Sequence, residues 1–157
     1  MPKITALLHT FDDAARLGRA LDSLRPCDQI LVVDHASRDA TRKVARQHGA
    51  QVIRAVPGVE GGAYAIDADH DWILCLLPSE ALSEALEASL LEWKQGDPDE
   101  FLGFAVNLRE ETEDGWRNLP PETRLVNRTV VVWDGPLPPP GSFTHALAGD
   151  LLRFRNP

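Results

Sequence analysis

The chain has 157 residues and a mass of 17.3 kDa, with 43% apolar and 25% charged residues, which suits a single domain closing one hydrophobic core. The longest uncharged apolar run, Trp72 to Pro78, is too short for a membrane span, and MPKITALLHTFDD lacks the apolar stretch and cleavage site of a secretory leader. Two cysteines, Cys27 and Cys75, exclude a disulfide scaffold and read as buried reduced thiols of a cytoplasmic protein. The net charge of −8 is uneven: residues 1–56 carry 9 basic and 6 acidic side chains, residues 57–157 carry 7 and 18. Such an acidic surface repels phosphate backbones and argues against nucleic-acid binding.

In chain order, Ile4–His9 is a short apolar run that predicts a first strand. Ala14, Leu17, Leu21 and Leu24 then recur at spacings of three and four, predicting a helix with Asp12 or Asp13 at its N-cap. Gln29–Asp34 (QILVVD) predicts a strand buried on both faces. Asp39–His48 predicts a second helix closed by a left-handed Gly49, and Gln51–Ala55 a third strand. After the loop Pro57–Gly62 and a short helix over Ala63–Asp69, Trp72–Leu77 predicts a fourth strand. Leu82, Leu86, Leu90 and Trp93 mark one face of the next helix, which is expected to stop at Gly96-Asp97-Pro98. The texture then changes. Phe101–Arg109 and Thr129–Trp133 (TVVVW) predict antiparallel strands with a turn at Glu113-Asp114-Gly115 between them, and the proline-rich last forty residues are expected to be loop-rich.

Strands alternating with helices imply right-handed crossovers and a parallel sheet, whose ligands sit outside the carboxyl ends of the strands. That rule selects His9–Asp13, Asp34–Asp39 and Leu77–Glu80. Phosphate loops and nucleophile elbows are absent from the sequence. The five histidines, His9, His35, His48, His70 and His145, lack metal-ligand spacing. His35 reads as a polar turn residue, the alternative being contact with a phosphate or ribose. Trp72 and Trp93 fit core positions, while Trp116 and Trp133 remain candidates for stacking on a sugar ring.

The series ITALLHTFDDAARLGRALDSL, DQILVVDHASRDAT and DWILCLLPSEALS resembles the family 2 glycosyltransferases of GT-A fold, with most likeness to the bacterial lipopolysaccharide-core subgroup. The likeness covers roughly residues 3–93. It rests on Thr10-Phe11-Asp12-Asp13 after the first strand and on Val33-Asp34, Ser37, Asp39 and Thr41 after the second. It implies an α/β fold, a mostly parallel sheet flanked by helices with a small antiparallel or irregular C-terminal part. It also implies one domain over 1–157, with a nucleotide-binding-like half (1–95) and a truncated acceptor-side half (96–157). Thr10, Phe11, Asp12, Asp34 and Ser37 are the expected nucleotide-binding residues, with Ser37 and Asp39 also tying down the turn and capping its helix.

The resemblance further implies Asp-x-Asp at the end of the fourth strand, holding a divalent metal at a diphosphate. Here Leu77 and Ser79 stand at those positions, and only the trailing Glu80 is acidic. No metal site is therefore expected, and Mg²⁺ or Mn²⁺ enters only if the altered segment still binds one. Gly61-Gly62, Arg124-Leu125-Val126, Trp133-Asp134-Gly135 and Asp150-Leu151-Leu152-Arg153 match further family elements in part. Two readings follow. One is an enzyme moving a sugar from a nucleotide-sugar donor to a glycan or lipid-linked acceptor, with Glu80 or Asp134 the nearby carboxylates for base or metal work. The alternative is a catalytically inactive homologue, a binding module for a protein partner or a homo-oligomer.

Overall fold

Side chains alternate across a strand, so every second apolar residue commits to one face of a sheet. In the computed structural model, which describes residues 1–96, 102–141 and 145–157, eight strands form one mixed sheet in the order β3-β2-β1-β4-β7-β6-β8-β5. The strands β1 (Ile4–Thr10), β2 (Gln29–Asp34), β3 (Gln51–Arg54) and β4 (Trp72–Cys75) are parallel. They are linked by α1 (Ala14–Asp22), α2 (Thr41–Gln47) and the 3-10 segment Gly61–Asp67. β5 (Glu80–Leu82), α3 (Glu84–Trp93), β6 (Gly103–Thr112), β7 (Gly115–Asn127) and β8 (Ala146–Arg153) complete the chain. β7 runs antiparallel to β4 and β6, and β8 lies parallel to β6 but antiparallel to β5.

Ile4, Ala6 and Leu8 of β1, with Val32, Leu74 and Leu125, pack against Leu17, Ala20 and Leu21 of α1, Ala45 of α2, and Leu86 and Leu90 of α3. Leu7, Leu31, Val33, Ile73, Cys75 and Val126 point to the other face and meet Tyr64, Ala65, Ala68 and Trp133. Three helices thus cover one face. The 3-10 segment and the chain after β7 cover the other.

The predicted order of elements as far as β4 is the observed one, and Gly49 is left-handed at φ 81°. Three features differ. Thr129–Trp133 is not a strand: the Asn127 carbonyl accepts the N–H groups of Val130 and Val131, and its Oδ1 accepts the N–H and hydroxyl of Thr129. This Asx turn curls the backbone out of the sheet and leaves Val130 and Val132 in solvent. β5 went unforeseen, because three residues carry no periodicity of their own, and Leu82, read as part of the next helix face, belongs to β5 instead. The tail is also more regular than expected, since β7 runs through Pro120-Pro121. Those residues fall where the β6–β7 register shifts between Val106 and Leu108, so no ladder donor is missing. Of the expected stop Gly96-Asp97-Pro98 and strand start Phe101, only Gly96 lies among the described residues.

Candidate functional site

The carboxyl ends of β1 and β2 are cross-stitched by short polar side chains. Asp34 is buried at the end of β2, opposite Thr10 of β1. Its Oδ1 accepts the Thr10 hydroxyl at 2.9 Å and the Ser37 hydroxyl at 2.5 Å, and its Oδ2 accepts the Ser37 N–H at 3.0 Å. Arg42 from α2 lies 3.5 Å from Oδ2. Ser37 Oγ in turn accepts the Asp12 N–H at 2.9 Å, and Asp12 Oδ1 accepts the Arg38 N–H at 2.7 Å. Thr41 Oγ1 accepts the Asp13 N–H, while Asp39 Oδ2 accepts the Ala14 N–H. α1 is therefore capped from the other loop: Asp13 holds the N-cap position, but its own carboxylate accepts the Phe11 N–H instead. The Thr41 hydroxyl, followed by backbone donors, holds exposed Asp39 below the ordinary carboxylate range.

Of the expected binding residues, Thr10, Asp12, Asp34 and Ser37 come together here, and each is engaged inside the protein. The Phe11 side chain takes no part in these bonds and is 59% exposed. The two turns also hold both left-handed non-glycine residues of the described chain, Asp12 at φ 51° and Ala36 at φ 59°. Beside them, His35, Ala36, Ala55, Val56, Pro57, Gly58, Val59 and Glu60 line a groove of about 460 Å³. His35 of its lining is paired with His9 of β1. His9 Nδ1 lies 2.9 Å from His35 Nε2, and the His9 ring meets Tyr64 edge-on. Burial, then the adjacent His35 ring, pushes His9 down to about 4 against an opposing contribution from the Gly61 backbone.

The groove's far wall depends on the second half of the chain. The Gly61 N–H donates to the Asp134 carbonyl at 2.8 Å. A Cβ on Gly61 would stand 2.3 Å from the Gly135 carbonyl oxygen, and one on Gly62 would stand 1.9 Å from that of Trp133. Only two successive glycines allow this approach of backbone to backbone.

The stretch from the end of β4 into β5 is organised differently. Glu80 is completely buried. Its Oε1 accepts Arg124 Nη1 at 2.7 Å and the Leu77 N–H at 2.8 Å. Oε2 accepts Arg124 Nη2 at 2.9 Å and Arg153 Nη2 at 3.0 Å. Arg124 also bonds the Cys75 carbonyl and Glu122. It is the residue left unmatched where the β6–β7 register slips between Phe104 and Ala105, so a bulge aims it at Glu80. Burial opposes the Arg124 charge, but the Glu80 and then Glu122 contacts outweigh it and raise its pKa further.

No protein-family model matches the sequence. Over 114 residues the chain is 32% identical to an uncharacterized glycosyltransferase of Rickettsia felis, a match covering 69% of this chain and 40% of the relative. It is 35% identical over 121 residues to a TPR repeat-containing protein of Synechococcus elongatus, covering 73% of this chain and 29% of that one. Among solved structures, S. aureus TarS 1-349 superposes with a TM-score of 0.56 at 17% identity, over 75% of this chain and 38% of that one. Glucosyl-3-phosphoglycerate synthase from Mycobacterium tuberculosis, in complex with Mn²⁺, UDP-glucose and phosphoglyceric acid, gives 0.51 at 18%, over 72% and 45%. The fold is GT-A.

In this GT-A sheet the segment after β4 does not suit a divalent cation. The Leu77 side chain brings no oxygen, and Glu80 is sealed beneath two guanidinium groups. Among the described residues, no group of three His, Cys, Asp or Glu side chains is placed to hold a metal ion. Sequence reasoning missed the Glu80 clamp, although Arg124 and Arg153 both lay in segments matching family elements. No helix among the described residues is long and apolar enough to cross a membrane.

Proposed function

We propose that residues 1–95 form the donor side of a family 2-type glycosyltransferase, binding the nucleotide of a nucleotide sugar without a divalent metal at Leu77–Glu80. Residues 96–157 begin the acceptor side, toward a glycan or lipid-linked acceptor. The observation that carries this reading is the stitched pair of turns opening on the His35–Glu60 groove at the carboxyl edge of the parallel strands. Phe11, exposed beside the groove, offers a face for the base, and the turn backbones supply polarity. Asp34 acts from behind, as the organiser of both turns.

Sequestration of Glu80 favours a second reading, a homologue that binds a nucleotide or partner without transfer, since the leaving diphosphate then lacks charge stabilisation. Calorimetric titration with UDP, GDP and CMP, with and without Mn²⁺, tests the first reading. One nucleotide is expected to bind equally well in both conditions, and Phe11→Ala to weaken it about tenfold. Strict Mn²⁺ dependence defeats the metal-free assignment, and absence of binding to all three defeats the donor-side reading. Hydrolysis or transfer from the matching nucleotide sugar then separates enzyme from binding module.

A further inference from the structure

A second cavity, of about 530 Å³, lies on the face opposite the helices, between the 3-10 segment and the chain after β7. Ala63, Ala65, Ile66, Val131 and Val132 give it an apolar lining. Ile66 is 83% and Val132 86% exposed, an unusual state for two large aliphatic side chains on facing walls of one groove. Its charge is one-sided. Among the described residues the carboxylates of Glu60 and Asp134 on the rim, and of Asp67 next to Ile66, have neither an ion pair nor a side-chain hydrogen bond. Among the described residues the single lining cation, Arg128, is ion-paired: Nε meets Asp71 at 3.1 Å, and Nη1 donates to the carbonyls of Ala65 at 2.7 Å and Ala68 at 2.6 Å.

We propose that this groove seats a cationic amphipathic segment of a partner protein, apolar along one side and rich in lysine or arginine along the other. The apolar lining receives the first side, and the free carboxylates meet the second. The same carboxylates repel an anionic lipid surface. A second copy of this chain fits less well. Its basic element, α2, carries Arg42, Lys43 and Arg46, but Val44 and Ala45 are turned onto its own sheet, leaving charge without an apolar stripe.

The test uses two synthetic helical peptides sharing one leucine stripe, with lysines opposite it in one and glutamates in the other. Each is titrated into the full chain by fluorescence anisotropy at about 50 mM salt. The lysine peptide is expected to bind and the glutamate peptide to fail. Ile66→Ser with Val132→Ser should weaken binding by about tenfold or more. Asp67→Lys should weaken it by roughly three- to tenfold, and by less at about 0.5 M salt. Both changes lie on exposed side chains, so the thermal midpoint and the UDP titration should not move. That separates this surface from the nucleotide groove. No binding of the lysine peptide, equal binding of both peptides, or binding indifferent to the substitutions overturns the proposal. So does self-association, or binding to phosphatidylglycerol vesicles, that the Ile66/Val132 double substitution abolishes.

Discussion

The end of β2 and the start of β5 each carry a buried carboxylate, and the two are satisfied differently. At the end of β2, Asp34 is hydrogen-bonded by the hydroxyls of Thr10 and Ser37 and one amide, with Arg42 of α2 a looser ionic neighbour at 3.5 Å. At the start of β5, just beyond β4, Glu80 is held by Arg124 and Arg153, 44 and 73 residues further along the chain. The first arrangement shapes two loops and leaves a groove beside them. The second fastens the start of β5 and the end of β4 to β7 and β8, and leaves Glu80 no free oxygen to work with. Similar carboxylates at the carboxyl edge of one sheet therefore give a candidate ligand edge in one place and a structural clamp in the other.

The largest effect should come from unbalancing the clamp. Arg124→Met leaves Glu80 buried beside Arg153 alone, and chemical denaturation should register a loss of about 3–5 kcal/mol. Adding Glu80→Leu should recover most of it. If the double variant stays as weak as the single one, Glu80 is not what Arg124 balances. Asp34→Ala strands the Thr10 and Ser37 donors and should cost about 2–3 kcal/mol, with Asp34→Asn nearer 1 kcal/mol. Were the two sites to prove equally sensitive, the contrast between mainly hydroxyl and amide donors and a pair of close guanidinium groups would be lost.

The next effect is set by pH. His9 falls from 6.5 to about 4 on folding, through burial first and the His35 ring second. The unfolded chain therefore binds the extra proton between those values, so stability is complete above pH 6.5 and declines as pH falls toward 4. The change should be on the order of 2 kcal/mol, allowing for partial exposure, and His9→Gln should flatten that part of the stability profile. The smallest effect is a gain. Ala36 sits at φ 59°, so Ala36→Gly should raise stability by about 0.5–1 kcal/mol, visible as a higher thermal midpoint.

What was legible in the sequence follows the range of the interactions. The turn motif Asp34, Ser37, Asp39 and Thr41 could be read because its residues satisfy one another and the loop beside it. Apolar periodicity likewise placed β1, β2, β4 and the helices. The Glu80 clamp was not legible, because a bulge in β7 turns Arg124 toward it and a residue spacing carries no sign of a bulge. Thr129–Trp133 misled for a related reason: three valines look like a strand, but the Asn127 side chain ends the ladder just before them. The cross-loop capping of α1 by Asp39 also lay beyond local rules, which assign a cap to the residue preceding its helix.

The backbone-to-backbone meeting of Gly61-Gly62 with Trp133–Gly135 bears on how the groove comes into being. The wall that carries Glu60 is fixed by a hydrogen bond between residues 61 and 134, so it cannot be set before β7 has paired with β4. During synthesis the stitched turns can therefore form early, while the opposite wall must await the emergence of a much later stretch of chain. A fragment ending before β6 would carry the expected binding residues and still have no finished groove in which to use them.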